Sequence, residues 1–220
     1  EDLKLAALAV SEERNICGSS AIGEELPYAI AGGYNGVEES VLLLSGSLTK
    51  QSIAQTAYMK ERGYSVLEFP AYEIYEEKEL EKKVCALTET IIQAMQDKGI
   101  CLLYTSNRPE EVDKIKRKGE ELGLSDEQIG RRISGTMCRI ARRVLETSGC
   151  RKLVAAGGDT SAAIAEELKI YRMDMVREIE TGLPLMKGKT AIGALDLVLK
   201  SGSFGSEAFL EKAAREVQKQ

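Results

Sequence analysis

Three short segments rich in glycine, serine and threonine hold the residues with which this chain could do chemistry. They are Ser45-Gly46-Ser47-Leu48-Thr49, Gly157-Gly158-Asp159-Thr160-Ser161 and Ser201-Gly202-Ser203-Phe204-Gly205-Ser206. Glycine lets the backbone approach a ligand closely, and the free N–H groups at the start of a helix attract anions such as phosphate. The segments therefore indicate a phosphate or nucleotide site built from backbone donors and hydroxyl groups.

Each segment also has a plainer interpretation, as an ordinary turn between two elements. Asp159 either holds Mg²⁺ through water or caps the helix that follows it. Lys200 either places its ammonium group on a phosphate or extends along the sheet edge into water. Glu178 and Glu180 alternate along one strand and are expected to face solvent. No segment matches the P-loop or the Gly-x-Gly-x-x-Gly dinucleotide fingerprint, so neither of those nucleotide sites applies.

Composition excludes several classes of function. The 220 residues are 43% hydrophobic and carry a net charge of -5, as expected of a globular protein that does not bind nucleic acid. No apolar run is long enough to span a membrane, and the N-terminus does not resemble a secretory signal. Histidine is absent, which excludes nucleophiles activated by histidine. Five cysteines without a Cys-x-x-Cys pair predict buried thiols in a cytoplasmic protein rather than a zinc site.

The pattern of apolar residues predicts the elements that position these segments. The continuous apolar run at 41–44 predicts a central parallel strand, and 64–69, 100–104 and the short apolar run that begins at Lys152 predict further strands, with helical stripes between them. Ser125-Asp126-Glu127-Gln128 predicts a capping box at the start of a long helix. Residues 171–181 alternate like a half-exposed strand, 182–184 break it, and 190–200 predict a strand pair or one bent strand. A final helix is expected around Phe209.

This order of elements predicts an α/β fold, with three layers (α/β/α) and a mostly parallel or mixed sheet. Ligands of such sheets bind beyond the carboxyl ends of the strands, where all three segments fall, so we expect the segments to converge. The run of helix breakers at 31–40 predicts a linker or a long loop.

Three motifs together resemble the C-terminal, nucleotide-binding domain of the four-carbon acid sugar kinase family. They are Gly157-Gly158-Asp159-Thr160-Ser161, Glu180-Thr181-Gly182-Leu183-Pro184 and Lys200-Ser201-Gly202-Ser203-Phe204-Gly205. Leu44-Ser45-Gly46-Ser47, with Thr49 and Gln55, is similar to the opening of that domain. Cys17-Gly18-Ser19-Ser20-Ala21 resembles the end of the preceding domain. The resemblance divides the chain into residues 1–36, the end of an N-terminal domain with its linker, and residues 37–220, the nucleotide-binding domain.

The resemblance implies ATP-dependent phosphorylation, with Mg²⁺, of a small acid sugar such as erythronate, threonate or an oxo-tetronate. It implies contacts to ATP or ADP from Ser47, Gly157 to Thr160, and Gly202 or Gly205. We extend this candidate site to Ser45, Gly46, Ser161 and Lys200. No catalytic residue and no protein metal ligand is assigned, and Asp159 stands where the family more often has glutamate.

The family's N-terminal domain, which supplies most of the acid sugar site, is largely missing from these 220 residues. We therefore expect the ATP-binding half of a kinase that needs a separate or missing domain for its acceptor. The alternative is a non-catalytic module that senses a nucleotide or metabolite. ATP or ADP and the acid sugar are the expected partners, with no nucleic acid and no membrane, and a homo-oligomer is left open.

Overall fold

The computed structural model of the chain describes Val37 and residues 39–220, apart from the side chains of residues 77 and 78. The segment expected to end an N-terminal domain, residues 1–36, lies outside this described part. Residues Val37–Gln220 form one compact unit. The fold and the candidate site are those of this unit.

A mixed sheet of seven strands forms the centre of the unit. The strands are β1 (Val41–Ser45), β2 (Ser65–Phe69), β3 (Ile100–Thr105), β4 (Lys152–Ala156), β5 (Arg172–Glu180), β6 (Leu183–Thr190) and β7 (Gly193–Lys200). Their order is β2-β3-β1-β4-β7-β6-β5. The first five strands in this order are parallel, and β6 and β5 continue the sheet antiparallel. The predicted α/β fold with a mixed sheet is confirmed.

Helices cover both faces of this sheet. They are α1 (Lys50–Glu61), α2 (Glu77–Lys98), α3 (Pro109–Glu121), α4 (Asp126–Ser148), α5 (Gly158–Glu167) and α6 (Phe209–Gln218), with a 3₁₀ turn at Ala71–Tyr75. On one face, Met59 of α1 and Phe209 of α6 join Leu43 and Val154 of the sheet in one core cluster. On the other face, α4 packs against both α2 and α5. The carboxyl ends of the parallel strands therefore emerge between two helical layers.

Local sequence explains most of these elements. Strands β1 and β3 are buried along their whole length, as expected for strands that pair on both sides under two helical layers. The predicted capping box is present, because Ser125 accepts from the N–H of Gln128 and the Gln128 side chain accepts from the N–H of Ser125. Thr49 caps α1 by accepting from the N–H of Ser52.

The hairpin of β5 and β6 differs from the sequence prediction. Residues 182–184 were expected to end the strand of 171–181, and β5 does end at Glu180, but a further strand, β6, begins already at Leu183. The region 190–200, expected to hold a strand pair or one bent strand, holds the single strand β7 and only the last residue of β6, Thr190. Pro184 is tolerated in β6 because β7 pairs with β6 only from Met186 onward, so that Pro184 has a strand neighbour on one side only.

Among the described cysteines, Cys101, Cys138 and Cys150 are buried, as predicted, whereas Cys85 is exposed. Burial raises the pKa of the Cys101 and Cys138 thiols to about 12. No helix in the described part of the chain is both long and apolar enough to cross a bilayer.

Candidate functional site

The centre of the sheet is the point where consecutive connections diverge. Strands β1 and β4 are parallel neighbours, with Ser45 beside Ala156. From the end of β1 the chain passes through α1 towards β2 at one edge, and from the end of β4 it passes through α5 towards β5 at the other edge. Helices α1 and α5 belong to opposite layers. Such a switch point leaves a crevice outside the strand ends, where α/β proteins bind ligands.

The loops after β1 and β4 touch across this crevice. The N–H of Gly46 donates to the carbonyl of Ala156 at 3.2 Å. A Cβ atom on Gly46 would lie 2.2 Å from Oγ1 of Thr160, and one on Gly157 would lie 3.3 Å from the backbone nitrogen of Ser47. Gly157 also has φ +122, a conformation that other residues rarely adopt. Both glycines are therefore required by close packing of the two loops.

A cavity of about 350 Å³ opens directly beside these loops. Three strand ends contribute to it, namely the loops that follow β1, β3 and β4, and α3 and α4 close the remaining side. Its lining combines polar groups at the strand ends with apolar side chains from the helices. The polar lining comprises Ser47, Thr105, Ser106, Lys116, Asp126, Ser134, Asp159 and Thr160.

The start of α5 presents free backbone donors to this cavity. Gly157 is the N-cap residue, and no side chain of the described residues caps the helix. The N–H groups of Gly158, Asp159 and Thr160 belong to the first turn, where a helix offers no acceptor of its own. These residues line the cavity, so the positive end of the helix dipole lies at the cavity. The expectation that Asp159 caps this helix is wrong, because Gly157 holds that position and Asp159 lies in the first turn.

The third segment, called here the 201–206 loop, packs against α1 and does not line the cavity. The carbonyl of Gly202 accepts from Oγ1 of Thr49 at 2.8 Å and from Oγ of Ser52 at 3.0 Å. A Cβ atom on Gly202 would lie 2.2 Å from Oγ of Ser47. The loop therefore packs against the β1–α1 turn and supports it. The three segments thus converge on one region of the structure, as expected.

The buried side chain of Lys200 binds the backbone of the 201–206 loop. Its side chain is 2% exposed, and its ammonium group donates to the carbonyls of Ser201 at 3.1 Å, Gly202 at 3.3 Å and Phe204 at 3.1 Å. Burial lowers the pKa of Lys200 to about 8. The expectation of an ammonium group in water is wrong, because the loop folds over it. The positive charge instead lies beneath the loop that it organises.

Two glutamines of α1 complete the support of this loop. Nε2 of Gln55 donates to the carbonyls of Phe204 at 3.1 Å and Ser206 at 2.9 Å, and Nε2 of Gln51 donates to Gly205 at 2.6 Å. Gln55 is fully buried, and its Oε1 is buried without a partner in the described part of the chain. Because all partners of Gln55 are carbonyls, its amide must present Nε2 to them.

Glu180 anchors the far end of the same loop. Its carboxylate accepts from the N–H of Ser206 at 2.7 Å and from the Ser206 hydroxyl at 2.6 Å, and it pairs with Lys212 at 2.6 Å. Partial burial opposes ionisation, but these bonds and the charge of Lys212 lower the pKa of Glu180. Glu180 thus holds the loop instead of simply facing solvent as expected. Glu178, which is exposed, accepts from the N–H of Gly182.

The structure therefore separates the predicted site residues into two groups. Six of them line the cavity: Gly46, Ser47, Gly157, Gly158, Asp159 and Thr160. Five others do not line it: Ser45, Ser161, Lys200, Gly202 and Gly205. In this second group, the Ser161 hydroxyl donates to the carbonyl of Lys200 at 3.2 Å and so ties the start of α5 to the end of β7.

The sequence interpretation missed the wall formed by the end of β3 and the start of α4. Thr105 and Ser106 line the cavity after β3, and Asp126 lines it from the first turn of α4. The signal was present, because two hydroxyl residues follow the buried run 100–104 much as serine follows β1. Asp126 also pairs with Lys116 at 2.8 Å.

The residues that could hold a metal ion are the two carboxylates of this lining, Asp126 and Asp159. Within the described residues, no group of three or more Asp, Glu, Cys or His side chains forms a metal-binding cluster. A site with one or two carboxylates suits Mg²⁺ that is bound mainly through phosphate oxygens and water.

Comparison with known proteins finds a matching family and similar proteins. The family described as "Nucleotide-binding C-terminal domain" matches residues 42–210. A 3-oxo-tetronate kinase of Pseudomonas fluorescens is 34% identical over 120 residues, which cover 54% of this chain and 26% of that protein. A 3-oxo-tetronate kinase of Haemophilus influenzae is 25% identical over 219 residues, covering 96% of this chain and 50% of that protein. The chain spans about half or less of the curated relatives it matches.

Solved structures share the fold. A Haemophilus influenzae protein superposes with a TM-score of 0.66 at 22% identity, over 96% of this chain and 50% of that one. A domain of unknown function from Bordetella bronchiseptica, solved as a domain-swapped dimer with bound citrate, gives 0.68 at 18% identity over 100% of this chain and 51% of that one. At these identities the likeness concerns the fold.

Proposed function

The chain belongs to the family of nucleotide-binding C-terminal domains, and we propose that it is the ATP-binding portion of a kinase for four-carbon acid sugars. Erythronate, threonate and an oxo-tetronate are the acceptors that fit this proposal. The names of the relatives, which are 3-oxo-tetronate kinases, support it. Its cytoplasmic location stays a prediction.

One observation carries the nucleotide-binding part of this proposal. Among the residues that the structure describes, helix α5 begins without a side-chain cap, and its first turn lines a cavity at the switch point of the sheet. By contrast, the neighbouring helix α1 is capped by Thr49. An uncapped helix start in a crevice satisfies its N–H groups with an anion, and a nucleotide brings that anion as phosphate.

The residues of the chain have distinct roles in this proposal. Phosphoryl transfer depends on positioning and on neutralising charge. The N–H groups of Gly158, Asp159 and Thr160 bind phosphate oxygens, and the Ser47 hydroxyl adds a donor from the opposite loop. When bound with ATP, Mg²⁺ supplies further positive charge, and Asp126 and Asp159 are the residues that would hold it. The 201–206 loop keeps the Ser47 turn in place.

The acceptor is proposed to bind to a domain that is separate from or missing in these 220 residues. In support, the chain covers only 50% of the Haemophilus influenzae relative while that relative covers nearly all of the chain. The catalytic base remains unassigned. On its own, the chain is expected to bind ATP or ADP weakly and to phosphorylate nothing.

Calorimetry with Mg-ATP tests the nucleotide site. Gly158→Pro removes one N–H from the first turn, and proline suits this first helical position. Gly157 has ψ 137, which a residue before proline accepts. Gly158→Ala is the matched control, since it keeps the N–H and its Cβ meets nothing within 4 Å. We expect Gly158→Pro to weaken binding by about tenfold and Gly158→Ala to bind like wild type.

Absence of binding at millimolar nucleotide would remove the proposal, and equal binding by both variants would remove the role of the α5 amides. A second measurement separates a kinase from a sensing module. The chain is mixed with the N-terminal half of a 3-oxo-tetronate kinase and assayed for ADP release with each four-carbon acid sugar. Release that requires both halves favours the kinase, and tight nucleotide binding without release favours the sensor.

A further inference from the structure

Strand β5 forms one edge of the sheet. It is the last strand in the order and, within the described residues, pairs only with β6. With nine residues it is the longest strand in the described part of the chain, and the residues from Arg172 to Glu178 are all exposed. An edge strand offers a row of unpaired N–H and C=O groups that another strand can bind, unless lysine, proline or a bulge protects it.

Protection of this edge begins only after Met175. The pairing of β5 with β6 shifts register between Met175 and Arg177 and again between Glu178 and Glu180. From Arg172 to Met175 the register is regular, with each residue opposite one residue of β6. This first half contains neither lysine nor proline. It is therefore a straight, open edge.

The side chains of this half divide cleanly between the two faces. Tyr171, Met173 and Met175 alternate along one face and are 74%, 48% and 72% exposed. Arg172 and Asp174 lie on the opposite face, where Nε of Arg172 contacts both carboxylate oxygens of Asp174 at 2.9 and 3.0 Å. Large apolar side chains exposed in a row mark interaction surfaces.

The charges on this edge complement those of a second copy in one register. In a two-fold dimer whose axis is normal to the sheet, each side chain opposes a partner side chain of the same face. If the axis passes at Arg172, the Arg172 side chains of the two copies face each other. If it passes at Asp174, the two Asp174 side chains face each other. An axis at Met173 places Arg172 opposite the partner's Asp174 and, by symmetry, Asp174 opposite the partner's Arg172.

The apolar face agrees with the same register. With the axis at Met173, Tyr171 lies opposite the partner's Met175, and Met173 lies beside the partner's Met173. The apolar row then continues without interruption from one subunit into the other, covering side chains that are exposed in the single chain. Cross-strand pairs of aromatic and apolar residues stabilise such pairing.

We propose that residues 171–175 are a homodimer interface, in which β5 pairs antiparallel with β5 of a second copy across a two-fold axis at Met173. The occupant is a second copy because both the charge pattern and the apolar pattern of this edge are self-complementary. The dimer joins two seven-stranded sheets into one continuous sheet. This inference is independent of the nucleotide site.

Two reciprocal charge variants test the register. Arg172→Asp gives an edge with two acidic residues, and Asp174→Arg gives one with two basic residues. In sedimentation velocity over a concentration series, we expect wild type to dimerise and each variant alone to dimerise at least about tenfold more weakly. An equimolar mixture of the two variants should recover association, because each acidic residue then meets a basic one.

Each single variant loses the contact of Arg172 with Asp174 inside one strand. Recovery of association in the mixture would therefore come from contacts between subunits. Both variants change exposed residues, and equal thermal midpoints verify that they fold. The double variant Arg172→Asp/Asp174→Arg should dimerise like wild type. A wild type that stays monomeric, or variants that neither weaken alone nor recover on mixing, would overturn the proposal.

Discussion

Gly46 and Thr160 are in such close contact that a single added methyl group would overlap with the threonine hydroxyl. A Cβ atom on Gly46 would lie 2.2 Å from Oγ1 of Thr160, which is 1% exposed. This contact joins the loops after β1 and β4, and it sets the width of the crevice between them.

Gly46→Ala is expected to lower the free energy of unfolding by about 1 to 3 kcal/mol, since a well-packed site must expand to admit the methyl group. Urea denaturation provides the measurement. In a Thr160→Ala background the same substitution should cost much less, because the clashing hydroxyl is gone. Gly158→Ala, whose Cβ meets nothing within 4 Å, is the control. Equal costs in both backgrounds would show that the contact is absent.

Because the charge of Lys200 is buried, we expect the free energy of unfolding to depend on pH in the alkaline range. Burial lowers the pKa of Lys200 in the folded state from 10.5 to about 8. Between these values the unfolded chain binds a proton that the folded chain has released, so the free energy of unfolding rises with pH. We expect wild type to gain up to about 3 kcal/mol over Lys200→Met between pH 8 and pH 10.5.

Urea midpoints of both proteins, taken from pH 7 to pH 10.5, supply this difference. The variant cancels contributions from tyrosines and other lysines, which are common to both proteins. A difference that stays constant or falls over this range would mean that the carbonyls of the 201–206 loop keep Lys200 charged.

Glu180→Gln should loosen the 201–206 loop. The substitution removes the charge that Lys212 and Ser206 bind, and we expect a loss of about 1 to 2 kcal/mol at neutral pH. Since the folded pKa of Glu180 is lowered, its contribution is present above pH 4.5 and disappears as the carboxylate becomes protonated at lower pH. Glu178→Gln is the control, because its amide oxygen can still accept from Gly182.

Chemical denaturation at neutral pH and near pH 3 measures both variants. The advantage of wild type over Glu180→Gln should shrink at the acidic pH, while Glu178→Gln should stay near wild type throughout. Indistinguishable stabilities of wild type and Glu180→Gln at neutral pH would remove Glu180 as an anchor of the loop.

Glu211 predicts a second acid-sensitive contribution, between α1 and α6. Hydrogen bonds from Tyr64 and Arg215, followed by one from Tyr58, lower the pKa of Glu211 to about 2. We expect Glu211→Gln to cost about 2 kcal/mol at neutral pH, since charged hydrogen bonds are lost. The stabilisation is complete above pH 4.5 and is lost as pH falls towards 2.

Thermal or urea unfolding between pH 2 and pH 7 follows this loss. Glu61→Gln changes an exposed carboxylate at the end of α1 and should remain within about 0.5 kcal/mol of wild type. Parallel pH curves for wild type and Glu211→Gln would contradict the lowered pKa.

The elements that could be predicted from sequence are those determined by local patterns. Continuous apolar runs identified β1 and β3, and the Ser125–Gln128 capping box located the start of α4. Strand β6 was missed because Pro184 was interpreted as a breaker. Only the sheet order, in which β7 reaches no further than Met186, explains why proline is tolerated there.

The candidate site shows the same division between local and long-range information. The glycine segments after β1 and β4 were predicted to converge, and they do, because parallel strand ends share one edge. The environment of the Lys200 ammonium group depends on three carbonyls, two of which, at Gly202 and Phe204, also accept hydrogen bonds from α1. Asp126 reaches the cavity only through the packing of α4, about which neighbouring residues in the sequence say nothing.

The 201–206 loop has two sides of opposite polarity. Its carbonyls at Gly202, Phe204, Gly205 and Ser206 all accept hydrogen bonds from α1 or from Lys200. A cation that approaches from outside therefore finds these lone pairs already occupied, whereas an anion meets a peptide loop with a positive charge beneath it. The carbonyl oxygens of the loop are therefore committed to contacts inside the protein, and the Lys200 ammonium group lies beneath its backbone.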